Sequence, residues 1–167
     1  LRGKGEYGEN YRNIVRAIEN LGEKLVSDHI TKNDFEKVAA QDMEEAKSSY
    51  SQLLNWIKKA DVFVAEVSTQ SLSVGHEITE AMNLNKPVVL MYLAGRRPTM
   101  LFGSGYEKLQ MVEYDEKNCQ TLMAKAIEEA KKYADVRFNF FVSPKILAYL
   151  DWVAKKRMIP RSVFLRN

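Results

Sequence analysis

The 167-residue chain is poor in the residues that staple or coordinate: it holds one cysteine and two histidines. Cys119 alone cannot close an internal disulfide, and no Cys/His cluster exists to hold a metal ion, so no metal or organic cofactor is expected. A lone thiol also fits a reducing compartment, and the expected location is the cytoplasm. Long apolar runs are absent too. None approaches the roughly 20 residues that a membrane helix needs, and no charged-then-apolar leader is read at the start, so neither membrane nor export is expected. Charge of one sign is scarce, with a net of only +3, so the total gives no reason to infer nucleic acid. The last thirty or so residues are locally basic. Apolar residues make up 46% of the chain, enough for one compact core with a small appendage.

The apolar spacing alternates between helical and extended periods. Tyr11, Ile14, Val15, Ile18 and Leu21 recur at helical spacing and Gly22 stops them, which predicts a helix over 9–21. A short strand is expected at 24–27, leading into Asp28 and His29. A charged segment follows, becoming a helix through Leu53, Leu54, Trp56 and Ile57. The run at 62–67 is apolar apart from Glu66, too much so for a half-exposed edge strand. A helix over 74–84, strands at 87–92 and 109–114, and a helix over 118–133 complete the pattern. Such alternation predicts an α/β fold, a doubly wound parallel sheet with helices on both faces, Rossmann- or flavodoxin-like. Leu1-Arg2-Gly3-Lys4-Gly5 is loop chemistry directly before a helix, so a first strand is expected upstream of the given chain. The expected domains are 1–134 and 136–167.

Ligands of such sheets lie beyond the carboxyl ends of the strands. The loop after 62–67 is therefore the first place to look, and it carries a carboxylate, Glu77, after Ser71-Leu72-Ser73-Val74-Gly75-His76. Leu1-Arg2-Gly3, Ala60-Asp61-Val62-Phe63-Val64-Ala65-Glu66-Val67, the Ser71–Glu77 string and Lys86-Pro87-Val88-Val89 together resemble the nucleoside 2-deoxyribosyltransferase family, nearest to its 2'-deoxynucleoside 5'-phosphate N-hydrolases. The likeness spans about 1–133.

The resemblance implies that Glu77 attacks the anomeric carbon of a nucleoside or nucleotide and forms a covalent glycosyl ester. The chemistry suits a carboxylate, because breaking an N-glycosidic bond builds oxocarbenium character that a carboxylate both stabilises and traps. The plainer reading is a first-turn glutamate facing the helix dipole. The resemblance further implies that Arg2, Gly3, Ser71 and Gly75 contact substrate, that His29 lies near the base, and that Thr99 and Met100 close the pocket of a partner subunit in a homodimer or higher oligomer. Free N–H groups around 73–76 are expected to receive a phosphate or sugar hydroxyls.

One residue departs from the family. Its helical aspartate, about eight residues before Asp61, is Leu53 here, and a leucine donates no proton. General-acid help is worth about 10²–10⁴-fold. Asp42 lies roughly 16 Å away along the helix by its rise per residue. Asn55, Gln52, Asp28 and His29 remain open as substitutes. Three readings follow: a nucleotide N-glycosidase, a deoxyribosyltransferase, or a non-catalytic nucleotide-binding sensor.

From Arg137 a strand (137–142), a helix capped by Ser143-Pro144 and a second helix from Pro160 are expected. This order, with Arg161-Ser162-Val163-Phe164-Leu165-Arg166, resembles a ribbon-helix-helix module. Phe141 stands where a polar base-reading side chain is usual in that module, so a dimerisation arm is favoured over DNA reading.

Overall fold

The computed structural model describes residues 4–27, 41–133 and 142–157, with side chains from residue 8 onward. The chain divides into two compact units, Leu1–Asp135 and Val136–Asn167.

In the first unit, α1 (Lys4–Asn20) and α2 (Met43–Lys59) precede β1 (Phe63–Glu66), α3 (Leu72–Asn83), β2 (Val88–Leu93), the short α4 (Thr99–Phe102), β3 (Leu109–Tyr114) and α5 (Cys119–Lys131). The strands form one parallel sheet in the order β1-β2-β3. Val88 pairs with both Phe63 and Leu109, which sets the register across the sheet. β2 is central, and Val88, Val89, Leu90 and Met91 are fully buried because both of its faces are covered. Val89 and Met91 pack with Ile14, Ile18 and Met123, which places α1 and α5 on one face. Val88 and Leu90 pack with Ile57 and Ile78, which places α2 and α3 on the other.

Local chemistry explains the element ends. Gly22, at φ +76°, takes the left-handed conformation that stops α1. Asp42 accepts from the N–H groups of Glu44 and Glu45 while the Glu45 carboxylate accepts from the Asp42 N–H, a reciprocal capping box that starts α2. Lys86 holds the other end of α2, its Nζ donating to the carbonyls of Lys58 (2.9 Å) and Ala60 (2.7 Å).

Two sequence expectations are corrected. The strand at 24–27 is not formed: these residues run without ladder pairing, and a strand exists only where another lies beside it. Leu25 still packs against the α1/α5 core. The residues expected to be loop before the first helix are partly helical, since α1 starts at Lys4 and includes Gly5 and Gly8.

In the second unit, α6 (Pro144–Arg157) starts where expected. The Ile146 N–H donates to Ser143 Oγ at 3.4 Å and the Leu147 N–H to the Ser143 carbonyl at 3.0 Å. The expected second helix from Pro160, and the expected strand apart from Val142, lie outside the described residues. Among the described residues no helix is long and apolar enough to cross a membrane.

Candidate active site

The turn from β1 to α3 is built from both ends. Val67 donates its N–H to the Met91 carbonyl at 2.9 Å, which continues the sheet one residue past β1. Ser71 then caps α3, its Oγ accepting the Val74 N–H at 3.4 Å. Because α3 begins at Leu72, the Val74 N–H is capped and the Gly75 N–H bonds the Ser71 carbonyl at 3.0 Å. The donors open to a ligand are therefore earlier than expected, at Leu72 and Ser73. Glu77 correspondingly falls in the second turn of α3 rather than the first, beyond the strongest part of the helix field.

Glu77 is half-buried and makes no hydrogen bond or ion pair among the described residues. Burial raises its carboxyl pKa above the ordinary value, and nearby positive charge opposes that rise. Such a group is under-solvated, a state in which a carboxylate is ready to meet a developing cation. A Cβ built at Gly75, one turn from the helix start, meets nothing within 4 Å, so packing does not demand glycine there.

A second carboxyl group, which the sequence reading did not single out, ties the carboxyl ends of all three strands together. Glu66, the last residue of β1, accepts from the Ser68 hydroxyl through Oε1, and the Ser68 N–H lies 3.3 Å from both of its oxygens. Tyr114, the last residue of β3, donates its phenolic O–H to Glu66 Oε1 at 3.3 Å. Leu93, the last residue of β2, donates its N–H to Ser68 Oγ at 2.8 Å. Burial raises the Glu66 pKa, partly offset by the bonds from Ser68 and Tyr114. The Tyr114 pKa is raised as well, chiefly by burial and further by the Glu66 charge, against a lowering bond with Asn10. The signal for Glu66 was a carboxylate interrupting an apolar strand at its carboxyl end.

Other expected residues are scattered. Leu53, where the resemblance implies an aspartate, packs as a part-buried apolar side chain on the α2/α3 core. One turn before it on α2, Tyr50 stacks on His76 with ring centroids 5.7 Å apart, and its hydroxyl lies 3.3 Å from His76 Nε2. Glu80 Oε1 lies 4.0 Å from the same nitrogen. Thr99 and Met100 begin α4, both exposed, with Met100 92% accessible. Arg2, Gly3 and His29 lie outside the described residues. A cavity of about 290 Å³ lies beside α4, lined by residues that include Tyr92, Arg97, Phe102, Tyr106 and Met111; Glu77 is not among them.

No family model matches the chain. Individual relatives do. A protein of Syntrophotalea carbinolica named putative 2'-deoxynucleoside 5'-phosphate N-hydrolase 1 is 31% identical over 120 residues, covering 69% of this chain and 80% of the relative. The chain belongs to the 2'-deoxynucleoside 5'-phosphate N-hydrolase family. It is also similar to the 5-hydroxymethyl-dUMP N-hydrolase of Rattus norvegicus, 28% identical over 132 residues, 77% of this chain and 80% of that one. The human protein of the same name is 26% identical over 132 residues, 77% and 75%.

Proposed function

We propose that the protein hydrolyses the base-sugar bond of a 2'-deoxynucleoside 5'-monophosphate through a covalent glycosyl-Glu77 intermediate. The observation that carries this reading is the 31% identity to a protein named as such a hydrolase, in a chain whose Glu77 is half-buried and without an ion pair among the described residues. An oxygen of the Glu77 carboxylate attacks C1' from the face opposite the base. The C1'–N bond breaks, its electron pair leaves on the base nitrogen, and the departing base takes up a proton. Water then attacks C1' of the ester, releasing the sugar 5-phosphate and restoring the carboxylate.

The reading includes a homodimer in which Thr99 and Met100 close a neighbour's pocket, with the tail as a dimerisation arm. Substrate contacts from Arg2, Gly3, His29, Ser71 and Gly75 belong to the same reading. Leu53 favours a second reading, a nucleotide-binding protein that has lost turnover, because a leucine in the acid's place protonates nothing.

Incubation with a panel of nucleosides and monophosphates, with chromatography for free base, tests the proposal. Release of base from deoxynucleoside monophosphates supports it, and tight binding without release favours the second reading.

A further inference from the structure

Position 53, where the resemblance implies an acid, is a leucine, so the proton that the departing base takes up has to come from another group or from water. The seam between α2 and α3, into which Leu53 packs, carries a group able to give one. His76 stands on α3 directly before Glu77, and its ring is held by neighbours on both helices. Tyr50, one turn before Leu53 on α2, stacks on it with centroids 5.7 Å apart and the planes inclined by 22°. The Tyr50 hydroxyl lies 3.3 Å from His76 Nε2, and Oε1 of Glu80, one turn on along α3, lies 4.0 Å from the same nitrogen. Half of the His76 side chain stays open to solvent, so a ligand can reach it. Successive side chains of a helix point about 100° apart, so the imidazole flanks Glu77. A sugar seated on the Glu77 carboxylate turns its base away from that carboxylate, and a flanking side chain is placed to meet the base where Glu77 itself is not.

We propose that His76 is the general acid of the reaction, donating a proton to the base as the C1'–N bond breaks. The inference rests on the reading of Glu77 as the nucleophile. Both partners address Nε2, which assigns the transferred proton to Nδ1. The imidazolium gives that proton to the base, the electron pair of the broken bond stays on the base, and the imidazole is left neutral. It then takes a proton from the water that attacks the glycosyl ester, which restores the imidazolium for the next turnover. An imidazole suits both halves because its charge changes near neutral pH. Tyr50 and Glu80 act through it as positioning residues, the stack fixing the ring plane and the carboxylate pairing with the charged ring. They and Glu77 are the titratable groups that the structure shows beside it, Tyr50 from α2 and both glutamates from α3.

Release of base by the full chain from dUMP and from 5-fluoro-dUMP, whose electron-poor base leaves without a proton more readily, tests the assignment. The ratio of the two rates is internal to each protein and does not depend on how much of a variant folds. His76→Gln is expected to slow release from dUMP by about 10²-fold or more and from 5-fluoro-dUMP by far less, so the ratio widens. The fall in kcat/KM on the alkaline side of the wild-type profile is expected to vanish with it. Tyr50→Phe keeps the stack and is expected to lower kcat with KM unchanged. A His76→Gln protein with the wild-type ratio and the wild-type alkaline limb overturns the proposal. An equal loss on both substrates overturns it as well, since that is what a merely structural role produces. If His76→Gln widens the ratio while Glu77→Gln releases base undiminished, the acid stands and the nucleophile reading falls. A wild type that releases no base from either nucleotide overturns this inference together with the hydrolase reading.

Discussion

Tyr114 reaches past the central strand to Glu66, its phenolic O–H donating to Oε1 at 3.3 Å, so that a residue of β3 supports the end of β1 although the two strands do not pair. The bond favours the ionised carboxylate. Tyr114→Phe therefore raises the Glu66 pKa further, and carboxyl-carbon NMR titration reads that shift directly. The loss of one part-buried hydrogen bond is expected to cost about 1 kcal/mol in a urea melt. A Glu66 titration that moves down, or not at all, contradicts the arrangement.

Glu66 and Glu77 both have folded pKa values above their ordinary 4.5 because burial penalises the charged form. A raised carboxyl pKa means that the folded state keeps its proton longer than the unfolded chain. Stability conferred by these groups is therefore full below about pH 4.5 and is lost as pH rises from there through the folded pKa values. Glu77→Gln removes a buried group that must ionise, so it should melt higher than the wild type at neutral pH, with the gain shrinking towards pH 4.5. Thermal melts of both proteins across pH 4 to 8 test the sign.

The same shift governs activity. Glu77 attacks only as the anion, so kcat/KM should fall on acidification with an apparent pKa above 4.5. An acid limb below that value would mean that the essential carboxylate is not under-solvated.

Leu53 offers a gain-of-function test. Leu53→Asp places a carboxyl group where the resemblance implies one but where this chain has a part-buried packing side chain. It should cost about 2 kcal/mol or more in stability. If position 53 faces the reacting base, the variant should speed release of poor leaving groups by up to about 10²–10⁴-fold. Destabilisation without any rate gain would show that the proton comes from elsewhere, with the Tyr50 and His76 pair the next group to substitute.

The features set by local rules were legible in the chain. The strand at 109–114 was read to the residue and the run at 62–67 to within one, because an apolar segment between turn residues has few alternatives. The helix expected over 74–84 starts two residues earlier because Ser71 caps it, which moves Glu77 by about half a turn relative to the helix start. The amino-terminal helix starts earlier than the expected residue 9 although Gly5 is loop chemistry, since a glycine costs a helix only about 1 kcal/mol that the buried Ile14, Ala17 and Ile18 face offsets. The strand expected at 24–27 failed since a ladder needs a partner that no local pattern supplies. The Glu66 cluster was illegible for the same reason. Its partners lie 2, 27 and 48 positions away, counting Ser68, Leu93 and Tyr114, and only the register of three parallel strands brings them together.

Acid quench of the wild type during turnover of a deoxynucleoside monophosphate, followed by peptide mass mapping, tests the central claim most directly. The account expects one sugar phosphate esterified to the peptide that contains Glu77, and neither adduct nor base release in Glu77→Gln. Undiminished base release by Glu77→Gln, or an adduct carried by another residue, would contradict it.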